Sequence, residues 1–181
     1  MSRKYKFHDK GGLYFVSFAV INWIDIFIRE EYCLIIVDSL NYCRIQLGLE
    51  IYGWCIMPSH VHLMIRAKNN NPEIILGRMK EFTSKQIVKA IANNKKESRR
   101  EWLLWMMKRA GMKSSNVKNY QFWQHNNKPI ELWSNEVIDQ KLNYIHRNPV
   151  VAGFVLEDWH WKYSSARSYA EKESLLEIDY V

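Results

Sequence analysis

With 181 residues, of which 48% are hydrophobic and 25% charged, the chain has the size and composition of one folded domain, which excludes a mainly disordered protein. The formal net charge of +7 favours a polyanionic partner, either nucleic acid or an acidic membrane surface. Three cysteines without a C-x-x-C pair indicate neither a disulfide framework nor a thiolate zinc site and favour a reducing cytoplasm.

No targeting or membrane-spanning segment is recognisable in the sequence. The first ten residues are mostly polar, and the most apolar run, residues 13–28, is interrupted by Asn22 and Asp25. That run is shorter than the roughly 20 residues of a membrane-spanning helix. We therefore expect a cytoplasmic protein with no membrane partner, associated with the nucleoid if its polyanion is DNA.

The first half of the chain predicts three strands and one helix. Residues 13–20 are rich in β-branched and aromatic side chains, which indicates a buried strand. Apolar residues at helical spacing predict a helix over residues 30–47, which Gly48 is placed to end. Two further strands, residues 51–56 and 60–67, are separated by a short break and are expected to pair antiparallel.

The second half predicts three helices and one short strand. Asn71-Pro72-Glu73 is a typical helix start. Residues 95–113 indicate a further, basic helix, and residues 130–133 a short last strand. Ser134 is placed to cap the helix that follows.

The order strand, helix, strand, strand, helix, strand predicts an α+β fold of the ferredoxin-like (split βαβ) type. Such a fold has an antiparallel sheet with helices on one face, and here a C-terminal helix carrying Tyr144 is added. We expect a single domain over residues 8–170 with a basic insertion at about residues 95–118. Residues 171–181 form a short acidic tail, which is poorly suited to contact DNA.

Two histidines lie one residue apart in the strand-like run of residues 54–65. Alternate side chains of a strand share a face, so His60 and His62 point the same way and could bind one cation. Taken alone, the pair could equally be two half-exposed strand histidines.

A second candidate pair lies on the last predicted helix, where Tyr144 and Asn148 are four residues apart and share a face. Two imidazoles, an amide oxygen and a tyrosine hydroxyl are suited to attack on a phosphodiester with covalent retention of the product. Because Asn148 precedes Pro149, we expect the helix to end or bend there, and Asn148 could instead cap it. His146 faces away from Tyr144 and is predicted to be structural.

The segments around these pairs resemble the motifs of a known family, the single-tyrosine HUH transposases of bacterial insertion sequences, and particularly their REP-associated tyrosine transposase branch. Residues 57–63, Met-Pro-Ser-His-Val-His-Leu, are similar to the family's metal motif. Residues 144–153 are similar to its tyrosine motif, and residues 161–165 to the element that follows. Residues 79–84 and 122–125 also fit, and no role carries over to residues 95–118.

The resemblance implies that Tyr144 is the nucleophile and that His60, His62 and Asn148 hold one divalent cation, Mg²⁺ or Mn²⁺. It further implies cleavage and rejoining of single-stranded DNA that bears hairpin (palindromic) elements, through a 5′-phosphotyrosine. No nucleotide cofactor is implied. The chain could be a homodimer, as insertion-sequence members commonly are, or a monomer.

Basic side chains near the motifs are expected to contact the DNA backbone, and Lys128, Arg147 and Lys162 are the candidates. Two other functions stay open at this point. The same fold supports non-enzymatic binders of single-stranded nucleic acid. A phosphodiesterase that activates water would need His60 and His62 but not Tyr144.

Overall fold

The protein is described by a computed structural model that covers residues 6–114, 119–125, 127 and 129–181. The strands and longer helices, in chain order, are β1 (Tyr14–Ala19), α1 (Glu30–Leu47), β2 (Leu49–Met57), β3 (His60–Ala67), α2 (Pro72–Asn93), α3 (Arg100–Met112), β4 (Ile130–Glu131) and α4 (Asn135–Val151). Two single 3₁₀ turns, Ile21–Trp23 and Asp158–His160, and a short helix α5 (Ala166–Tyr169) complete the described structure.

The four strands form one sheet in the order β2-β3-β1-β4, and every neighbouring pair is antiparallel. This order is that of the split βαβ arrangement, so the predicted ferredoxin-like α+β fold is confirmed. None of the helices in the described part of the chain is both long and apolar enough to cross a membrane.

Alternation along β1 divides the apolar side chains between the two faces of the sheet. Tyr14, Val16 and Phe18 enter a large core shared with α1 and α2. Phe15 enters a smaller core with Met64 of β3 and Ile145 of α4. The sheet is therefore covered by α1 and α2 on one face and by α4 on the other, and the histidine pair of β3 lies on the α4 face.

Helix α4 begins at a side-chain cap and runs further than predicted. The Ser134 hydroxyl accepts a hydrogen bond from the Val137 amide at 3.4 Å, as expected for a cap. The helix continues through Pro149 to Val151, so it does not end at Asn148, the first of the two outcomes expected there. Because Pro149 stands in the last turn, it removes only one helical hydrogen bond. The helix ends in a Schellman motif, in which Phe154 donates to the Pro149 carbonyl and Gly153 has φ 76°.

The connection between α2 and α3 is built around a buried carboxylate, so α3 begins at Arg100 rather than near Lys95. Glu97 has no exposed side-chain surface and accepts hydrogen bonds from Arg29 at 2.6 Å and from Arg99 at 3.1 Å. These ion pairs draw the connection onto the start of α1. Part of the predicted insertion, residues 115–118, lies outside the described residues.

The acidic C-terminal segment lies along the outer edge of β2. The Ile51 amide donates to the Asp179 carboxylate at 3.0 Å, and the Asp179 amide donates to the Ile51 carbonyl at 2.8 Å. Leu176 is buried in the large core. The segment therefore pairs with the edge strand and shields it.

Candidate active site

The two histidines of β3 stand side by side on the α4 face of the sheet. Their ring centroids lie 4.6 Å apart with an interplanar angle of 80°. In the sheet register His60 is opposite Ala19 of β1 and His62 is opposite Ser17. The predicted shared face is thus observed, and the neighbours on β1 are small.

Burial keeps both imidazoles neutral at neutral pH. His62 is only 3% exposed. This burial, with smaller contributions from His60 and Lys141, lowers the pKa of His62 to about 3. Burial also lowers the pKa of His60, and the charge of Asp25 partly offsets that shift. Neutral imidazoles present the lone pairs that a metal ion requires.

The hydrogen bonds of the histidines leave ring nitrogens available. Nδ1 of His60 lies 3.2 Å from the Ser59 hydroxyl, which fixes that ring and leaves Nε2 for a ligand. Nδ1 of His62 is buried and has no hydrogen-bond partner among the residues that the structure describes.

Helix α4 brings Tyr144 and Asn148 to the same point. Nδ2 of Asn148 lies 3.4 Å from Nε2 of His62, so this side chain is directed at the histidine pair rather than at the helix end. The Tyr144 ring lies 5.3 Å from the His62 ring and 5.8 Å from the Phe15 ring. Tyr144 is 47% exposed, which leaves its hydroxyl accessible to a large substrate.

The donor set fits one divalent cation with open coordination positions. The described residues contain no group of three or more histidine, cysteine, aspartate or glutamate side chains that could hold a metal, so a third protein ligand has to be of another type. A half-turn of the Asn148 amide places its oxygen where the nitrogen lies, 3.4 Å from His62 Nε2. Two imidazoles and one amide oxygen leave positions for phosphate oxygens and water, as catalytic metal sites require.

Lys141 is a site residue that the sequence reasoning missed. Its ammonium lies 5.6 Å from the Tyr144 ring centroid and 5.3 Å from that of Phe15. The spacing in the sequence could have indicated it, because a residue three positions before Tyr144 on a helix lies on the same face as Tyr144. Lys141 adds a fixed positive charge beside the nucleophile candidate.

The remaining predicted residues are dispersed. His146 is buried, and its Nε2 lies 2.8 Å from the Ser165 hydroxyl, a structural position as expected. Arg147 is exposed on α4, and Lys162 donates to Glu30 at 2.5 Å. Lys128 lies outside the described residues. DNA contacts by these three basic side chains stay predictions.

A large basic groove lies on the other side of β1, between α2 and residues 119–125, 127 and 129. We call it the lysine groove; its volume is about 1340 Å³. Its cationic lining consists of Lys6, Lys10, Lys80, Lys85 and Lys89. Lys10 and Lys85 form ion pairs with Glu73 and Glu81.

Lys80 is a half-buried member of this groove and ties α2 to the segment beside β1. It donates to the Gln124 carbonyl at 3.0 Å and to Oδ1 of Asn127 at 2.6 Å. Burial lowers the pKa of Lys80 to about 8.

Comparison with known proteins shows which families the chain is similar to. The family described as IS200-like transposases matches residues 36–120, a stretch that contains both histidines and ends before Tyr144. A Haemophilus influenzae protein carrying the name REP-associated tyrosine transposase is 26% identical over 176 residues, which cover 91% of this chain and 85% of that protein.

A solved structure shares the fold along the whole chain. It is a REP-associated tyrosine transposase bound to a REP hairpin, superposes with a TM-score of 0.66 at 17% identity, and the match covers 99% of this chain and 92% of that one. The resemblance predicted from the two motifs is thereby confirmed. The chain is thus similar to the IS200-like transposases over residues 36–120 and to a REP-associated tyrosine transposase over most of its length.

Proposed function

We propose that the protein is a DNA strand transferase that cleaves and rejoins hairpin-bearing single-stranded DNA through a 5′-phosphotyrosine at Tyr144. One observation carries the proposal: the accessible Tyr144 ring stands 5.3 Å from the ring of the buried His62, beside the half-buried His60. Tyr144 and part of the histidine pair are open to solvent, which suits a single strand that is laid across the site.

The reaction exchanges one phosphodiester for another. The Tyr144 oxygen bonds to the scissile phosphorus, the bond from phosphorus to the 3′-oxygen breaks, and the phenolic proton is balanced by the one that the departing 3′-hydroxyl gains. A 3′-hydroxyl can later attack the phosphotyrosine and release Tyr144. The covalent bond conserves the phosphodiester energy, so the exchange requires no nucleotide cofactor.

His60, His62 and Asn148 would hold the divalent cation, Mg²⁺ or Mn²⁺. When bound, the cation polarises the scissile phosphate and stabilises charge on its oxygens. The ring nitrogens favour Mn²⁺ over Mg²⁺, which prefers oxygen ligands. Lys141 contributes a second positive charge 5.6 Å from the centroid of the Tyr144 ring, where it would attract the scissile phosphate.

The proposed substrate combines a single-stranded segment at Tyr144 with a hairpin stem bound elsewhere. The structural neighbour is bound to a hairpin, and the lysine groove offers a basic surface of suitable size for stem phosphates. Sequence-independent phosphate contacts would hold the stem while the strand beside it enters the site.

The test is a denaturing-gel assay on pooled, end-labelled hairpin oligonucleotides from the DNA that flanks the coding sequence. With Mn²⁺, the wild type should yield a cleaved strand and a protein-linked strand, whereas chelator, His62→Ala and Tyr144→Phe should each remove both. Trp102→Ala, on an exposed face of α3, is the matched control and should behave as wild type.

Two outcomes would contradict the proposal and indicate a different function. Tight binding of a pool that contains the true flanks, without any cleaved or protein-linked strand, would indicate the non-enzymatic binder. Metal-dependent cleavage that persists in Tyr144→Phe, with no protein-linked strand, would indicate a phosphodiesterase that uses water.

A further inference from the structure

The 3₁₀ turn that follows β1 has an unusual backbone. Asn22 and Trp23 have φ values of 52° and 55°, in the left-handed region that bulky side chains rarely adopt. The turn is held in this shape because Val20 donates to the Ser59 carbonyl and Ile21 donates to the Phe122 carbonyl, both at 2.9 Å. Such strain persists only where the surroundings impose it, and it concentrates at functional sites.

The strained turn presents an exposed tryptophan to the histidine pair. The Trp23 ring centroid lies 5.2 Å from that of His60, with an interplanar angle of 73°. Trp23 nevertheless remains 55% exposed. Much of the indole is therefore open to a ligand that reaches the histidines.

Trp23 also borders a second groove, of about 580 Å³, which we call the Trp23 groove. Ser17 and Ala19 of β1 line it, and they are the register partners of His62 and His60. Their small side chains leave space above the strand beside the histidines. The volume lies within the roughly 300–1,000 Å³ of small-ligand pockets.

The other walls of the groove have the chemistry of a nucleotide site. They offer an aromatic face at Trp23, a cation at Lys113, amide groups at Gln121 and Gln124, and an imidazole at His125. Aromatic faces stack on any base, and cations beside them neutralise the neighbouring phosphate.

We propose that the Trp23 groove seats the single-stranded nucleotide next to the scissile phosphate, with Trp23 stacked on its base and Lys113 beside its outer phosphate. The inference rests on the proposed function, because it assumes that the histidine pair receives a DNA strand. In this proposal Trp23 contacts the DNA directly. If Trp23 only packed against the His60 ring, it would take no part in DNA binding.

The experiment measures binding in chelator with the Tyr144→Phe protein, so that neither the cation nor cleavage contributes. The probe is a fluorescent hairpin oligonucleotide with a short deoxythymidine flank on each side. It is compared with a blunt hairpin and with a series that carries one abasic site at each flank position in turn. Trp23→Ala and Trp23→Phe are tested beside Trp102→Ala, an exposed tryptophan on α3 that does not line the groove.

Stacking predicts that Trp23→Ala weakens binding of the flanked hairpin by about 5- to 100-fold, while Trp23→Phe retains most of the affinity. In the protein that retains Trp23, one abasic position should weaken binding by a similar factor. In Trp23→Ala, the same abasic position should cause no further loss of affinity. Trp102→Ala and the blunt hairpin should show no such effect.

The inference would be overturned if Trp23→Ala weakened binding of flanked and blunt hairpins equally. It would also be overturned if, at every abasic position, the losses of affinity caused by Trp23→Ala and by the abasic site simply added. If Trp23→Ala fails to fold, Trp23→Phe and the abasic series on the protein that retains Trp23 decide the question, because equal affinity at every abasic position would overturn the inference. Flank-dependent binding through Trp23, with no protein-linked strand from wild-type protein and Mn²⁺ in the gel assay, would overturn the proposed function and leave the Trp23 groove standing. A protein-linked strand in the gel assay, with no effect of position 23 on flank binding, would overturn the inference and leave the proposed function standing.

Discussion

At the scale of single residues, the site combines two histidines that burial keeps uncharged with the basic side chain of Lys141. Burial suppresses protonation of His60 and His62, so their lone pairs are free at neutral pH. Lys141 stands within 5.6 Å of the Tyr144 ring. The site is thus positive where an anionic phosphate and an ionised tyrosine would come together.

Lys141 supplies the first prediction at this scale. Lys141→Met should slow formation of the protein-linked strand by about tenfold or more, because the anionic phosphate that approaches Tyr144 loses a stabilising charge. Lys141→Arg should restore most of the rate. A rate identical to wild type in Lys141→Met would show that this charge does not act at the site.

His146 supplies a prediction about acid stability. Burial lowers the pKa of His146 to about 4, only partly opposed by Asp158. In the unfolded chain the same side chain binds a proton near pH 6.5. The free energy of unfolding is therefore highest above that pH and decreases as the pH falls from 6.5 towards 4. The decline amounts to about 1.4 kcal/mol per pH unit for one such group.

Urea unfolding between pH 7 and pH 4 checks this expectation. His146→Phe should be less stable at pH 7 because the hydrogen bond with Ser165 is removed, yet its unfolding free energy should fall less steeply with acid. His8→Phe, at an exposed position, is the control. The same slope in His146→Phe and wild type would contradict the assignment.

At the scale of elements, the position of α4 against β2 sets the distance between Tyr144 and the histidine pair. A Cβ atom at Gly53 would lie 2.9 Å from Cδ1 of Leu142 and 3.5 Å from Cδ1 of Ile145, so α4 packs directly on the glycine. Gly53 also stands where the register between β2 and β3 shifts. The glycine allows a close approach of helix and sheet beneath Tyr144.

Two substitutions of increasing size test this packing. Gly53→Ala should be tolerated, because the end of the flexible Leu142 side chain can move. Gly53→Val should destabilise the protein by about 1–3 kcal/mol. It should also cut the cleavage rate up to about 100-fold by displacing Tyr144. Equal cleavage rates for the folded Gly53→Val and wild-type proteins would show that the α4 position is not critical.

Local signals in the sequence account for the elements that were predicted. Pro72 at a helix start, Ser134 at a cap and the alternation around His60 each act within a few residues, so they are readable without the fold. The passage of α4 through Pro149, the Glu97 ion pairs and the left-handed turn at Trp23 depend on distant partners. For Trp23 those partners are Ser59 and Phe122, which no local pattern reveals.

At the scale of the whole molecule, β1 lies between two surfaces to which we assign different tasks. The histidine pair, with Ser17 and Ala19 of the Trp23 groove, lies on one side of it. The lysine groove lies between α2 and residues 119–125, 127 and 129. Residues 121–125 and 127 link the two surfaces, since the backbone of this segment pairs with Ser17, Ala19 and Ile21. On the proposed function, a DNA with a stem and a single-stranded flank would contact both surfaces at once.

The lysine groove yields a prediction about salt. Lys89→Glu should weaken hairpin binding and reduce the slope of log affinity against log salt concentration by about one for each phosphate that the protein no longer neutralises. Lys108→Glu, exposed on α3, changes the net charge equally and is the control. Equal weakening in both variants, measured by fluorescence anisotropy at several salt concentrations, would assign the effect to net charge rather than to the groove.

The central claim is that Tyr144 becomes covalently joined to DNA, and peptide mass spectrometry tests it most directly. Trypsin cuts after Lys141 and Arg147, which isolates residues 142–147 with Tyr144 as their only tyrosine. After reaction with a hairpin oligonucleotide and Mn²⁺, followed by nuclease digestion, this peptide should carry a nucleotide mass on Tyr144. Modification of another residue, or cleaved DNA with the peptide unmodified, would contradict the account.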